Sequence, residues 1–327
     1  MIALSVIICA HNPRLQYLQR VFDGLRRQTV ELAQWELLLV DNASSVPLAE
    51  SIDLTWHPSA RHIAEMTLGA AWARLRGITE ARGDLLVFVD DDTALKTDYL
   101  AHAQAIASEH PEVGAWSGNV RLEFEEPPPE WLKPHYYLLS HRDVVSDAHS
   151  RSTLDTPHTP WGGGLCLRRE ASLFYREHWL RSPHRQVLGP KGESLAACED
   201  IDLALSACEM GLEAGVFARL ELTHLIPPER TTEEYILRLC RGLERSLWFW
   251  RFLRGKRLDR LPQGLNWWVK FIYDAARKSP RDRRFYIAKI LGKRDAWRMF
   301  CELMNSTQTN SSVPHQEPLP RPQHFTH

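Results

Sequence analysis

Leu85-Leu86-Val87-Phe88-Val89-Asp90-Asp91-Asp92-Thr93 joins a short apolar run to three consecutive acids. An apolar run of this length without alternation is typical of a strand buried on both faces, as in a parallel sheet covered by helices. Three adjacent carboxylates repel one another, and a bound cation relieves that repulsion. The alternative interpretation of Asp90–Asp92 is a solvated acidic turn or a helix N-cap.

The sequence on either side of this run continues the pattern of buried strands and amphipathic helices. The predicted strands are Leu4–Cys9, Glu36–Val40, Leu85–Val89, Val113–Phe124 and Val216–Leu222, and the predicted helices cover 14–28, 66–81 and 97–108. This alternation predicts an α/β fold, with a mixed, mainly parallel sheet flanked by helices.

Polar residues follow three of the predicted strands. His11-Asn12 follows the first strand, Asp41-Asn42 the second, and Asp90–Asp92 the third. Ligands bind at the carboxyl ends of the strands in such sheets, so these clusters predict a ligand site. Oxygen ligands with open positions suit Mg²⁺ or Mn²⁺ that is shared with phosphate oxygens.

A second acidic cluster opens a predicted helix that ends at Gly211. At helical spacing, Glu199 and Asp202 share a polar stripe with Ser206 and Glu209, whereas Asp200 lies beside small apolar residues. A carboxylate in apolar surroundings is costly unless it is paired or used in catalysis. The alternative is an acid that only complements the helix dipole.

A run of glycines, Trp161-Gly162-Gly163-Gly164, precedes the apolar residues 165–167. Consecutive glycines allow a ligand or another backbone to approach closely, and a plain β-bulge is the alternative. The run lacks the G-x-x-x-x-G-K-[ST] spacing of a phosphate loop.

In this order, these pieces resemble the family 2 glycosyltransferases of the GT-A type, which have a Rossmann-related fold that binds nucleotide sugars. The resemblance covers roughly residues 3–230, through the segments 5–12, 38–44, 69–78 and 83–92, the glycine-rich strand and Glu199-Asp200. The chain departs from the family at Cys9-Ala10-His11, where Pro-Thr-Tyr is common, and at Leu75, where Asn is common.

The resemblance implies a role for each matching residue. Asp90 and Asp92 form the D-x-D motif, with Asp92 as the direct metal ligand, and Asp200 is the catalytic base. Asp41 contacts the nucleobase and Arg74 lies near the nucleotide. The residues expected to bind the donor nucleotide are Ala10, His11, Asn12, Asp41, Arg74, Asp90 and Asp91. The residues expected to line an acceptor or sugar pocket are Trp161, Gly162, Gly163, Gly164 and Glu199.

His224 follows the strand Val216–Leu222. In similar enzymes a histidine at this place can complete the metal shell, and imidazole is a reasonable Mn²⁺ ligand beside a carboxylate. A structural histidine is the alternative. Arg230 either meets the diphosphate of a donor or is a surface charge at a helix end.

Charge is distributed unevenly along the chain. The 327 residues carry a net charge of −1, which argues against a nucleic-acid binder, whereas residues 231–300 hold 18 Lys/Arg and 7 Asp/Glu, a net of +11. Accordingly, we divide the chain into a transferase domain at 1–230, a basic, aromatic-rich helical extension at 231–304 and a disordered tail at 305–327. The extension either contacts a membrane interface or packs on the domain.

Together with the acid clusters, the resemblance implies a metal-dependent, inverting glycosyltransferase that uses Mn²⁺ or Mg²⁺ and a nucleotide-sugar donor, with a UDP-sugar preferred. The acceptor is a glycan or a lipid-linked molecule, as in surface polysaccharide or glycoconjugate biosynthesis. The alternatives are a sugar nucleotidyltransferase, which usually has a glycine-rich phosphate loop where this chain has 10–13, and a non-catalytic carbohydrate-binding protein. The sequence contains no apolar stretch of transmembrane length, and we expect a cytoplasmic protein, peripheral at the inner face of the membrane if 231–300 binds lipid.

Overall fold

The computed structural model describes residues 2–188, 198–256 and 265–309. The chain divides into two compact units. The first consists of Met1–Lys191 with Glu199–Thr232, and the second of Gly192–Cys198 with Glu233–His327.

The strands of the first unit form one mixed sheet. Among the described residues they are β1 (Leu4–Ala10), β2 (Trp35–Asp41), β3 (Ala60–Ala64), β4 (Leu85–Asp90), β5 (Thr93–Leu95), β6 (Val113–Phe124), β7 (Ala148–Ser150), β8 (Leu165–Arg168) and β9 (Glu213–Ile226). The strand order is β3-β2-β1-β4-β8-β6-β9-β5, and β7 pairs with β9. The pairs of β1 with β2 and β4, of β2 with β3 and of β6 with β9 are parallel, which confirms the predicted fold class.

The helices of the first unit flank this sheet. They are α1 (Leu15–Arg26), α2 (Leu48–Ser51), α3 (Ala70–Glu80), α4 (Tyr99–Glu109), α5 (Arg169–Arg181) and α6 (Glu199–Glu209). Shorter 3₁₀ helices cover Leu32–Gln34, Glu130–Leu139, Arg185–Val187 and Pro228–Thr231. The second unit contains α7 (Glu233–Leu253), α8 (Leu265–Ala276) and α9 (Pro280–Thr309).

The central strands are apolar because both of their faces are covered. Side chains that alternate along β1, such as Leu4, Val6 and Ile8, join one core with Leu18 and Phe22 of α1. The intervening Ile7 is also fully buried, on the face of the sheet that α3 covers. Burial on both faces explains why these strands carry no polar alternation. Their parallel pairing places their carboxyl ends at one edge of the sheet.

The predicted helix at 66–81 begins later than expected, at Ala70. Gly69 has φ +139°, which is outside the helical region, and its N–H donates to Oδ1 of Asn42 at 2.7 Å. The short strands β3 and β5 were not predicted. The β3 sequence is too polar and too short to show a buried-strand pattern, since only Ile63 in it is buried.

The second unit is held together mainly by the packing of α7 on α9. The Phe252 ring lies 5.5 Å from Trp297 and 5.4 Å from Phe300, and Arg241 pairs with Asp295 at 2.6 Å. Much of the aromatic content of 231–300 is thus used in packing within this unit. The described residues include no helix that is long and apolar enough to cross a membrane. Helix α9 extends to Thr309, and the rest of the predicted tail, 310–327, lies outside the described residues.

Candidate active site

Hydrogen bonds between His11-Asn12 and residues 42–45 join the loops at the carboxyl ends of β1 and β2. Asn12 has a left-handed backbone (φ 47°), and its N–H donates to Oγ of Ser44 at 3.0 Å. Its Oδ1 accepts the N–H of Ser45 at 2.8 Å, and Nδ1 of His11 lies 2.8 Å from the carbonyl oxygen of Asn42. The residues predicted to bind a nucleotide therefore form a rigid loop pair.

Asp41 is held by the backbone that follows it. Its two carboxylate oxygens accept the N–H groups of Ser44 at 3.0 Å and Leu48 at 2.9 Å. Burial acts to raise the pKa of Asp41, but the hydrogen bonds from Leu48 and Ser44 outweigh it and lower the pKa. Each carboxylate oxygen has a second lone pair, so the ionised group can still accept an N–H from a base.

Asn42, which the sequence offered only as the neighbour of Asp41, organises the approach to α3. It is buried, and its Nδ2 donates to the carbonyl oxygens of Glu65 at 3.1 Å and Thr67 at 2.8 Å. These bonds, with the one from Gly69, fix where α3 begins and hence where Arg74 lies.

Arg74 links three elements at the centre of the site. From α3, its Nη1 donates to Oε1 of Glu199 on α6 at 2.7 Å, and its Nη2 lies 3.6 Å from Oδ1 of Asp90 on β4. Burial opposes its charge, but Glu199 and Asp90 outweigh burial and raise its pKa. Burial raises the pKa of Glu199, and the charge of Arg74 opposes that rise.

The three acids after β4 differ in their electrostatics. Burial, supported by Asp92, raises the pKa of Asp90 against the effect of Arg74. Burial and the charges of Asp92 and Asp90 raise the pKa of Asp91 to about 7. Burial acts in the same direction on Asp92, yet His224 and Arg230 lower its pKa to about 2. Asp92 is therefore firmly ionised, whereas Asp91 is in an environment that favours added positive charge.

Asp92, His224 and Arg230 meet at one point. Oδ2 of Asp92 accepts from Nη1 of Arg230 at 2.8 Å and lies 3.4 Å from Nε2 of His224. Nδ1 of His224 lies 2.9 Å from the carbonyl oxygen of Leu139, which aims Nε2 at the carboxylate. A carboxylate oxygen and an imidazole nitrogen at this separation fit Mn²⁺, and the guanidinium of Arg230 already contacts both.

The predicted metal ligands do not all converge in this structure. Asp92 and His224 meet, whereas Asp90 is turned towards Arg74. Within the described ranges, the trio of His, Cys, Asp or Glu side chains whose ligand atoms all lie within 4.8 Å of one another consists of His110, Glu112 and His149. The third predicted ligand, Asp90, is thus engaged by a cationic side chain instead.

The glycine run lies beside acids of both clusters. The N–H of Gly162 donates to Oδ2 of Asp200 at 2.9 Å, and a Cβ on Gly162 would lie 3.0 Å from Nη2 of Arg74. A Cβ on Gly163 would lie 3.4 Å from Oδ2 of Asp90. The glycines therefore serve close approach to Asp90 and Asp200, which the alternative of a plain bulge does not require.

Gly164 and Tyr99 fix the end of this run. Gly164 has φ +72°, a conformation that favours glycine, and its carbonyl oxygen accepts from the hydroxyl of Tyr99 at 2.5 Å. Tyr99 is fully buried at the start of α4. Its sequence context resembles any apolar helix position, so its positioning role could not be predicted.

Arg142 is a further residue that the sequence did not single out. Its guanidinium lies 3.4 Å from the ring centroid of Trp161, and Nη1 donates to the carbonyl oxygen of Thr159 at 2.9 Å. Burial lowers the pKa of Arg142 to about 10, and the charge of Asp200 opposes this effect. An aromatic face, a guanidinium and a carboxylate thus border the same part of the site.

The polar stripe of α6 faces inwards. Glu199, Asp202 and Ser206 are buried, whereas Asp200 is only half-buried. Glu199 pairs with Arg74, and Asp202 lies 3.5 Å from Arg185. Glu199 therefore holds Arg74 in place through a buried ion pair.

Comparisons with known proteins agree with this architecture. The model of the family described as Glycosyl transferase family 2 matches residues 5–174, more than half of the chain. The structure is similar to the mannosyltransferase PcManGT from Pyrobaculum calidifontis in complex with GDP-Man and Mn²⁺, at 18% identity and a TM-score of 0.54, over 95% of this chain and 76% of that chain.

Two further solved structures are similar at lower scores. TarS 1–349 from S. aureus has 15% identity and a TM-score of 0.48, over 94% of this chain and 92% of that chain. GalNAc-T7 with UDP, GalNAc and Mn²⁺ has 17% identity and a TM-score of 0.49, over 98% of this chain and 59% of that chain. No curated protein matches the chain in sequence.

Proposed function

The chain belongs to glycosyl transferase family 2, and we propose that this glycosyltransferase moves a sugar from a nucleotide-sugar donor to a hydroxyl of a glycan or lipid-linked acceptor, with inversion. The observation that carries the proposal is the approach of two acidic centres, Asp90–Asp92 and Asp200, to adjacent residues of the glycine run. The N–H of Gly162 donates to Asp200, and a Cβ on Gly163 would lie 3.4 Å from Oδ2 of Asp90. One centre suits the departing diphosphate and the other suits the attacking hydroxyl.

The donor side uses the carboxyl ends of β1, β2 and β4. In this proposal Asp41 accepts an N–H of the base, and Asp92 with His224 would hold Mn²⁺ or Mg²⁺, with Asp90 as a further ligand. When bound, such an ion would supply positive charge that balances the diphosphate of the donor. Arg230, released from Asp92, supplies a second positive charge to the same phosphates.

A UDP-sugar is our preferred donor, and GDP-Man is the comparator. Uracil offers one N–H to a carboxylate such as Asp41, and guanine offers N–H groups at two positions. PcManGT, the neighbour with the higher TM-score, was solved with GDP-Man and Mn²⁺. Measuring the binding of UDP-sugars and GDP-sugars decides between the two donors, because uracil and guanine present different N–H groups to Asp41.

Asp200 acts on the acceptor side as the general base. It takes the proton of the attacking hydroxyl as the new bond forms between that oxygen and the anomeric carbon. The bond from the anomeric carbon to the diphosphate oxygen breaks on the opposite face, which inverts the configuration. Trp161 and Arg142, which stack on each other beside Asp200, are placed to orient the acceptor.

A donor screen tests this function directly. Thermal unfolding is measured with a panel of UDP- and GDP-sugars, with and without Mn²⁺. A donor at 100 times its Kd is expected to stabilise the fold by about 2.7 kcal/mol. Slow hydrolysis of the same donor, followed by NMR of the released sugar, reports the anomeric configuration. The proposal fails if no nucleotide sugar stabilises the protein, and inversion fails if the configuration is retained.

Replacing Asp92 with Asn is expected to abolish the Mn²⁺-dependent part of donor binding, because His224 loses the carboxylate that shares the ion. Calorimetric titration of the donor in Mn²⁺ and in chelator measures this part. Asp98→Asn is the control, since Asp98 pairs with His102 on α4 at 3.2 Å and lies outside the acid triplet. Equal Mn²⁺ dependence in Asp92→Asn and wild type would remove Asp92 from the metal site.

We also propose that the second unit contacts an anionic membrane surface through α8. Trp268, Val269, Ile272 and Tyr273 share one face of that helix and are 48%, 59%, 62% and 58% exposed, respectively. The surrounding segment 231–300 carries the net charge of +11. Aromatic and aliphatic side chains with flanking cations suit an anionic leaflet, and the cytoplasmic leaflet has that charge. Such a contact suits a lipid-linked acceptor in polysaccharide or glycoconjugate biosynthesis.

The double substitution Val269→Ser/Ile272→Ser is expected to weaken binding to anionic vesicles at least tenfold. A fully buried aliphatic side chain contributes roughly 1.5–3 kcal/mol, and half of that from each residue exceeds the 1.4 kcal/mol of a tenfold change. Co-sedimentation measures the binding. Val145→Ser is the control, because Val145 is 95% exposed in the first unit. Equal binding by wild type and the double variant would refute α8 as the contact.

A further inference from the structure

A second set of metal-binding side chains lies in the first unit, among residues that the proposed reaction does not use. His110 follows α4, Glu112 precedes β6, and His149 is the middle residue of β7. One ligand atom from each of the three lies within 4.8 Å of the others. The trio therefore brings together three chain segments that are distant in sequence.

The backbone fixes the positions of these side chains. The N–H of Glu213 on β9 donates to the carbonyl oxygen of Glu112 at 2.8 Å. His149 is paired with Gly215 across β7 and β9, and a Cβ on Gly215 would lie 2.5 Å from Cβ of His149. The glycine thus permits β7 to approach closely enough for His149 to join the group.

The two imidazole rings rest on one apolar residue. The ring of Phe217, which is fully buried, lies 5.0 Å from the ring of His110 and 6.2 Å from that of His149. The planes of Phe217 and His149 are within 10° of parallel. The histidine side chains are therefore oriented by packing, and the buried ring of Phe217 forms an apolar surface beside them.

Hydrogen bonds also orient the ligands. Nδ1 of His149 contacts the carboxylate of Glu213, which is itself held by Nε of Arg151 at 3.1 Å. This contact leaves Nε2 of His149 as the nitrogen that can bind a metal. A carboxylate behind a metal-binding histidine is the usual support that fixes the ring and raises its basicity. Nδ1 of His110 lies 3.2 Å from Oε1 of Glu112, so both ligands face the same space.

We propose that His110, Glu112 and His149 form a Zn²⁺ site. Two imidazoles and one carboxylate are a typical Zn²⁺ donor set, with a fourth position for water. The set is richer in nitrogen than the acid triplet after β4, which suits Mn²⁺ or Mg²⁺. Bound Zn²⁺ ties the connection between α4 and β6 to β7, and it stabilises the fold by mass action without taking part in transfer.

The test titrates metal-free protein with ZnCl₂ by calorimetry. All variants carry Asp92→Asn, so that the proposed donor-side metal site does not contribute. One equivalent of Zn²⁺ is expected to bind and to raise Tm, and His149→Ala is expected to abolish both effects. Glu213→Gln is expected to weaken binding about 10–100-fold, because it removes only the support behind His149. His102→Ala is the matched control, a histidine on α4 that pairs with Asp98.

Glu112→Gln is the second variant, in case His149→Ala does not fold. It removes one ligand and leaves the packing of the two histidine rings on Phe217 unchanged. Far-UV circular dichroism checks the fold of each variant, and Co²⁺ in place of Zn²⁺ reports tetrahedral coordination by its visible spectrum. Undetectable Zn²⁺ binding in the parent protein would overturn the proposal. So would equal Zn²⁺ affinity in the parent, His149→Ala and Glu112→Gln. Neither outcome depends on the transferase reaction.

Discussion

Substituting Asn for Asp200 is expected to lower kcat by about 10²–10⁴-fold while donor affinity stays near that of wild type. Asn has nearly the shape of Asp, and its one carbonyl oxygen can still accept the N–H of Gly162, which donates to Oδ2 of Asp200 at 2.9 Å, although not also that of Ile201, which donates to Oδ1 at 2.8 Å. The substitution therefore removes the proton acceptor and one of these hydrogen bonds, and it keeps the contact with the glycine run. The proposed donor contacts lie at β1, β2 and β4, so a loss confined to kcat is the expected signature.

Asp202→Asn is the matched control for this experiment, because it makes the same chemical change two residues away on α6. Asp202 is buried and lies 3.5 Å from Arg185, so its substitution is expected to lower stability more than turnover. Initial rates of transfer, donor titrations and Tm are measured for both variants. Near-full turnover by Asp200→Asn would exclude Asp200 as the base, and so would an equal loss of kcat in both variants.

Much of the fold could be predicted because burial on both faces leaves a clear trace in sequence. The strands at Leu4–Ala10, Trp35–Asp41 and Leu85–Asp90 have almost no polar positions, so their bounds were predicted to within one residue. The edge strand Ala60–Ala64 is buried only at Ile63 and leaves no such trace. The sequence therefore predicted the central strands of the sheet more accurately than this edge strand.

The acids of the candidate site could be predicted because they lie next to apolar residues in the sequence. Asp90–Asp92 and Asp200 stand out for that reason, and in the structure Asp90 and Asp200 lie beside adjacent glycines of the run. The partners of these acids were harder to predict, because they come from distant segments. Arg230 reaches Asp92 across 138 positions of sequence, and Arg142 meets Trp161 from an irregular segment. No local pattern contains such pairs.

Helical phase alone does not show which acids of α6 face solvent. Glu199 and Asp202 share a polar stripe, and a polar stripe usually marks the exposed face of a helix. Here the stripe is buried because Arg74 and Arg185 lie opposite it and neutralise it. Asp200, which the resemblance implies as the base, lies off the stripe and is only half-buried, so it is more accessible than Glu199 and Asp202.

The pair of Arg74 and Glu199 joins α3 to α6, and breaking it is expected to cost stability. Arg74→Met leaves Glu199 as a buried carboxylate without its partner, which typically costs 3–5 kcal/mol. Oε2 of Glu199 is buried and has no hydrogen-bond partner among the described residues, so no other group takes over. Urea unfolding measures the loss. Arg74→Met/Glu199→Gln is expected to recover most of it, since a neutral amide carries no buried charge.

The pH dependence of this loss provides an independent check of its cause. Burial already raises the pKa of Glu199, and removing the Arg74 charge, which opposes that rise, raises the pKa further. When a carboxyl group has a higher pKa in the folded state than in the unfolded state, the protein loses stability as pH rises above the unfolded-state pKa, which is near 4.3 for Glu. The loss of unfolding free energy caused by Arg74→Met is therefore expected to be smaller at about pH 5 than at about pH 8. In Arg74→Met/Glu199→Gln, this difference between the two pH values is expected to disappear. A deficit that is independent of pH, or that Glu199→Gln does not relieve, would mean that Arg74 stabilises the fold by packing and not by its charge.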